Sequence, residues 1–388
     1  MIEPVRKDAR ASVSHSGIPS SFDIRPSSLS AAVIATPDRL ANLLARLKSH
    51  DRIAIDTEAD SLHCYREKLC LLQVSIPEAD FVVDPLALRD LQRLTAALKP
   101  KEIVVHGADF DLRLLRRSAD FVPERIFDTV IAARMLGLRQ FSLAALVQRY
   151  FDIDLPKGSQ KANWAKRPLP KRMLAYAVND THYLLEMAER LERELTEIGR
   201  LDWFRQSCER AMEQAAIQRS REPDEIWRIS GSGALRGRVA AILRELWHWR
   251  EKEAEAVDRP AFHILQNEEL LRAASRFHAG EKPDYRHFST RRRDAFVAAA
   301  ERGLEMNETE WPVPKRRFGS RRTAEANRRV EQLRQRRDHA AAELHLEASF
   351  VAPRAALESI AMEENRAGDF LVPWQRDLLG LKEHAASF

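Results

Sequence analysis

Two hydrophobic rhythms divide the chain. From residue 31 to about 200, short apolar runs alternate with amphipathic stretches. The runs "AAVIAT" (31–36), "RIAIDTE" (52–58), "LCLLQVSI" (69–76), "DFVVDP" (80–85) and "EIVVHG" (102–107) predict strands. "PDRLANLLARLKSH", "LRDLQRLTAALK" and "DFDLRLLRRS" carry apolar residues at helical spacing and predict helices between them. Short connections over 52–85 favour antiparallel neighbours, and the later strands come with helical crossovers. The expectation is a mixed sheet with helices, an α/β domain.

Beyond about residue 205 the strand rhythm stops and the pattern is helical throughout. In "ALRGRVAAILRELWHWREKEAEAVDRP", Leu243, Leu246 and Trp247 lie one turn after Val239 and Ile242. Pro260 closes that segment, and Asn267 is a candidate N-cap for the next helix. Residues 323–385 read as a worn copy. A shift of 87 places Arg250 on Arg337, Ile264 on Val351, Leu270 on Leu357 and Ala274 on Ala361. Pro312, Pro314 and Gly319 between the copies mark a linker.

Composition narrows the class. A chain of 388 residues suggests two or three domains, and 44% hydrophobic with 31% charged residues suits a globular protein with a real core. Cys64, Cys70 and Cys208 match no zinc spacing and form no disulfide framework, which fits idle thiols in a reducing cytoplasm. No window approaches about 18 consecutive apolar residues, so no membrane span is expected. The Ser- and Pro-rich residues 1–30 lack the apolar centre of a secretory signal and read as a disordered leader. Net charge is only +5, but residues 315–337 hold ten Lys/Arg against two Glu. Such a run can hold phosphates, and it reads equally well as a linker and solvated helix face.

The candidate chemistry is a set of acids. Asp56 and Glu58 follow an apolar strand and, at a period of two, point to one face. "IVVHGADFDLRLL" reads as strand, glycine turn and helix start, which puts Asp109 and Asp111 just past the carboxyl edge of a strand, where open α/β sheets place their sites. The helical stretch 173–191 presents Tyr176 and Asp180 on one face, with Leu184 extending it. Four oxygen donors from three elements can hold two hard divalent cations, Mg²⁺ or Mn²⁺, and two such ions can clamp the attacking and leaving oxygens of a phosphoryl displacement. Each piece alone has a plainer reading: a solvated strand end, acids favoured by a helix N-terminus, a core tyrosine. Spacing leaves Asp109 and Asp111 both open. The aperiodic residues 151–170 form a long loop before the last motif.

"IAIDTEADSL", "VVHGADFDLRLL" and "YAVNDTHYLLEM" resemble the three motifs of the DEDD exonuclease superfamily, in its tyrosine-bearing branch. "KLCLLQVS", "FDTVIAARMLG" and "QKANWAKRPLPKRMLAYAVNDTHYLL" extend a resemblance to the ribonuclease D family over residues about 33–200. The segment around "RVAAILRELWHWREKEAEAVDRPAFHILQNEELLRAA" resembles an HRDC domain, and the worn copy would be a second. The resemblance implies a ribonuclease H-like mixed-sheet exonuclease domain (31–205), HRDC domains at 222–302 and 323–388, and a linker at 303–322. It implies that Asp56, Glu58, Asp111 and Asp180 ligate two metal ions and that Tyr176 orients the attacking water; it selects Asp111, five residues after His106, over Asp109. His106, Lys157, Gln160, Lys161 and Trp164 are candidate substrate contacts, although the loop also reads as an ordinary one with an anchoring Trp. The partner implied is RNA with a free single-stranded 3′ end, tRNA precursors above all, handled by a cytoplasmic monomer. The metal chemistry is the same for either sugar, so a 3′–5′ deoxyribonuclease of proofreading type is the rival, as is a non-catalytic RNA-binding relic.

Overall fold

The computed structural model describes residues 32–156, 158–217, 225–313 and 323–381. The expected leader (1–30), Lys157 and residues 314–322, the end of the expected linker and the start of the basic run, lie outside the described residues.

Six strands form one mixed sheet in the order β1-β4-β3-β2-β5-β6. They are β1 (Ala32–Ile34), β2 (Arg52–Ala59), β3 (Leu69–Ile76), β4 (Ala79–Val83), β5 (Glu102–Val105) and β6 (Arg125–Asp128). β3 runs antiparallel to both β2 and β4, as the short connections favour, whereas β1, β5 and β6 join in parallel. β6 had no counterpart among the predicted strands. "RIFD" is too short to show a period, and its pairing with β5 alone makes it a strand. β3 is buried along its whole length because it lies inside the sheet with covered faces.

Helices close both faces. Pro37–Leu47 begins with a Thr36 side-chain cap and a proline in its first turn, and buries Leu40, Leu43 and Leu47 at helical spacing. Ala108–Ala119 follows β5. The segment read as one helix over 173–191 is two, Lys171–His182 and Leu184–Glu197, meeting at Tyr183, whose ring is buried near Phe151 and edge-on to His182. The expected boundary at 205 falls inside helix Leu201–Ala216, whose Phe204 and Cys208 belong to the core of the sheet domain. All three cysteines are buried and unbridged.

The helical repeat is present in three dimensions. A shift of 87 carries helix Gly237–Ala256 onto Ala324–Glu343 and the short helix Ala261–Ile264 onto Ala348–Val351. Helices Asn267–His278 and Arg354–Met362 start at matching positions, the second being shorter. The same hydrogen bond recurs: Arg250 Nη1 donates to Leu265 O and Arg337 Nη1 to Ala352 O, each at 3.3 Å. Asn267 is not a cap. It opens its helix behind Gln266, and its side-chain oxygen accepts from Arg250 Nη1 at 2.7 Å. The last helix of the first copy, Thr290–Glu305, extends into the expected linker. Among the described residues no helix is long and apolar enough to cross a membrane.

Candidate active site

Alternation along β2 builds the site. Asp56 and Glu58 turn to one face and meet Asp180 from helix Lys171–His182; carboxylate oxygens of the three lie within 4.8 Å of one another. Thr57 between them turns to the other face, where its backbone N–H donates to Asp111 Oδ1 at 3.1 Å and its hydroxyl donates to the same oxygen. Asp111 is buried at the start of helix Ala108–Ala119, while Asp109 is exposed and paired with Arg113 at 2.6 Å. Burial therefore separates the two aspartates that spacing left equivalent.

That helix is aimed by a residue the sequence reading did not single out. Asp128, buried at the end of β6, accepts from the backbone N–H groups of Gly107 (3.0 Å), Ala108 (2.8 Å), Val130 (2.8 Å) and Ile131 (3.4 Å). One carboxylate thus caps two helix starts, and the Asp-Thr step after an apolar pair is the local signal for such a cap.

The acids repel one another and are poorly hydrated. Burial first, then Asp111, Asp180 and Glu58, pushes the Asp56 carboxyl well above its usual range. Burial and the neighbouring aspartates push Glu58 up to about 9. Burial raises Asp180 to about 7 against a hydrogen bond from Tyr176, and Asp111 to about 6 against the two Thr57 donors. Among the described residues no ion pair reaches any of the four. Four mutually repelling carboxyls, Asp111 buried and the other three half-buried, with no ion pair from a described cation, suit bound positive charge, and an all-oxygen donor set suits a hard divalent ion.

Tyr176 is half-buried beside them. Burial and the nearby acids raise its hydroxyl far above the ordinary tyrosine range, so it is a neutral hydrogen-bonding group at any working pH. It bonds Asp180 and Gln160. Gly158 lies so close to the Tyr176 ring that a Cβ there would overlap it. Trp164, expected as a stacking residue, is fully buried beside Tyr176 with ring centroids 6.1 Å apart. Its faces are closed to a base, and it serves as the anchor of the loop. Lys161 is exposed, and its carbonyl accepts from His63 Nε2 at 3.0 Å. His106 Nδ1 lies 2.8 Å from Thr129 Oγ1, whose hydroxyl donates to Val105 O at 3.1 Å. Burial lowers the His106 imidazole to about 4, so it is neutral and donates from Nδ1. Leu62 and Phe110, both more than a third exposed, lie four residues after Glu58 and one before Asp111 in the chain.

The pattern of a 3′–5′ exonuclease domain matches residues 31–196, and that of an HRDC domain matches residues 239–279. The chain thus carries a 3′–5′ exonuclease domain followed by an HRDC domain. Ribonuclease D of Sphingobium indicum is 33% identical over 248 residues, 63% of each chain. Ribonuclease D of Zymomonas mobilis is 34% identical over 236 residues, 60% of each. The match thus spans somewhat under two thirds of the length of these ribonuclease D relatives. The crystal structure of Escherichia coli RNase D, described as an exoribonuclease involved in structured RNA processing, shares the fold at a TM-score of 0.69 and 22% identity, over 92% of this chain and all of that one. The catalytic core of RRP6 from Trypanosoma brucei superposes at a TM-score of 0.60 and 26% identity, over 71% of this chain and 80% of that core.

Proposed function

We propose that this chain is a ribonuclease D-type 3′–5′ exoribonuclease that hydrolyses single-stranded 3′ ends of structured RNA, with tRNA precursors as substrate, and releases nucleoside 5′-monophosphates. The observation that supports it most is the convergence of Asp56, Glu58 and Asp180 within 4.8 Å, beside buried Asp111 and hydroxyl-bearing Tyr176.

In this reading Asp56, Glu58, Asp111 and Asp180 hold two divalent cations, Mg²⁺ or Mn²⁺. Bound there, the cations polarise the scissile phosphate and lower the pKa of water. The chain's own residues do the rest. Asp56 is central, since all three other acids act on it. Thr57 holds one oxygen of Asp111 against β2, between Asp56 and Glu58 in the chain. Tyr176, a neutral donor and acceptor anchored on Asp180, orients the attacking water and gives up no proton. Leu62 and Phe110 supply apolar faces against which terminal bases, splayed from their stack, can rest. The helical copies hold the folded part of the RNA while its tail enters the site.

The test is one labelled tRNA with an extended 3′ tail and one DNA strand of the same sequence, each with Mg²⁺, Mn²⁺ or EDTA. Stepwise shortening of the RNA to monophosphates, abolished by EDTA and by Asp56→Ala with RNA binding retained, is the expected result. Faster trimming of the DNA, or an Asp56→Ala variant as active as the parent, would overturn it.

A further inference from the structure

Strand β3 is buried from end to end, yet it carries an amide. Gln73 stands opposite Asp56 in the antiparallel β2–β3 pair and is completely inaccessible. Its Nε2 donates to Asp56 Oδ2 at 3.3 Å. Its Oε1 is buried without a hydrogen-bond partner. Two residues along, Ser75 shows how the strand treats a buried polar group otherwise: its hydroxyl lies 2.6 Å from Asp80 Oδ1 and 2.7 Å from Thr181 Oγ1.

A buried amide oxygen with no donor is a standing cost. Turning the amide over does not remove it, since Oε1 would then face the Asp56 carboxyl and the NH₂ would be stranded. An apolar residue of the same length would fill the space without this cost. The amide therefore suits a state in which a donor is present beside Asp56. Water in the shell of a divalent cation is such a donor, because the cation polarises its O–H bonds.

We propose that Gln73 is a positioning residue of the cation site: its Nε2 fixes the Asp56 carboxylate, and its Oε1 accepts a hydrogen bond from a water held by a cation at the acid cluster. This rests on the cation reading above. Gln73 touches no substrate; it acts through Asp56 and the hydration shell, as outer partners of metal ligands commonly do.

The experiment uses the full chain, with Mn²⁺ alone as the probe. Calorimetric Mn²⁺ titration and thermal unfolding in EDTA are measured for wild type, Gln73→Met and Gln73→Glu. Gln73→Met removes the orphaned oxygen together with the Nε2 donor to Asp56, so its unfolding temperature in EDTA should stay near the wild-type value while Mn²⁺ affinity falls about 10- to 100-fold. Gln73→Glu keeps an acceptor and adds charge, so it should bind Mn²⁺ at least as tightly as wild type and unfold earlier in EDTA. A Gln73→Met affinity within about twofold of wild type, or an affinity loss accompanied by earlier unfolding in EDTA, would overturn the assignment. A wild-type chain that takes up no Mn²⁺ would instead remove the cation reading of the acids, and Gln73 with it.

Discussion

The two helical copies share their backbone plan and differ in what they pack against. The first has a core of its own, built on Trp249, Phe277, Phe288 and Phe296 and closed by helix Thr290–Glu305. It meets the sheet domain through a small contact: Tyr65 N–H donates to Asp258 at 3.0 Å, and Arg66 pairs with Glu255 at 2.7 Å. In the second copy the position of Trp249 is Arg336, which reaches Leu379 O at 2.9 Å, and that of Phe277 is Glu364. Without those aromatics its own core is small, and Ala341, Leu346, Val351 and Trp374 join the core of the sheet domain instead. Trp374 stacks on Trp203 at 5.2 Å and donates to Ser207 at 3.0 Å. Arg200 ties Met135 O (2.8 Å) to Leu344 O (2.9 Å), and Gly137, at positive φ, packs against His345 O too closely for a side chain. The copy that keeps these aromatics has a core of its own, and the copy that lacks them packs into its neighbour's. The basic character of the second copy weakens too: Arg334 pairs with Glu331, Arg337 with Asp338 and Arg329 with Glu364.

If the second copy belongs energetically to the sheet domain, the two should melt together and the first copy should not follow. The largest effect is expected from pH in EDTA. Glu58 is raised to about 9 and Asp180 to about 7 in the folded chain, so between the ordinary carboxylate range and those values the folded state holds more protons than the unfolded one. Stability must then fall as pH rises from about 4.5 toward 9. Calorimetry in EDTA should show the transition of the sheet domain and second copy moving down across that window, with the first copy's transition unmoved and with saturating Mg²⁺ restoring the loss. A flat profile in EDTA would sink this reading of the acids.

Next in size are the tryptophans. Trp374→Ala should destabilise the sheet domain by about 3–5 kcal/mol, whereas Trp249→Ala should lower only the first copy's transition and spare hydrolysis of short oligonucleotides. If Trp374→Ala left the sheet domain's transition in place, the shared core would be refuted. The matched arginines give a smaller contrast. Arg250 is buried and bonds Leu265 O, Asn267 and Glu251, while Arg337 is partly exposed and bonds Ala352 O and Asp338. Alanine should cost about 3 kcal/mol at Arg250 and about 1 kcal/mol at Arg337, and equal losses in urea titrations would erase the distinction between the copies. The smallest effect is expected at the contact of the first copy: Arg66→Ala, removing a pair exposed on both sides, should change stability by less than about 0.5 kcal/mol.

Much of this molecule was legible along the chain. The period of two put Asp56 and Glu58 on one face, the apolar runs named five of six strands, and the shift of 87 matched the starts of three helices in each copy. These are local or repeating properties, and backbone geometry converts them directly into faces and elements. What lies on the other side of a face is a different matter. That Trp164 is sealed beneath Tyr176, that Gln73 is shut in against Asp56, that Asp128 caps two helices and that β6 is a strand at all depend on partners distant in sequence. The same holds for the second copy, whose pattern announces an apolar stripe without naming what covers it. Periodicity specifies which side chains must leave water. Only the packed structure decides which neighbours receive them, because burial is rewarded by area and shape, whatever the position in the chain.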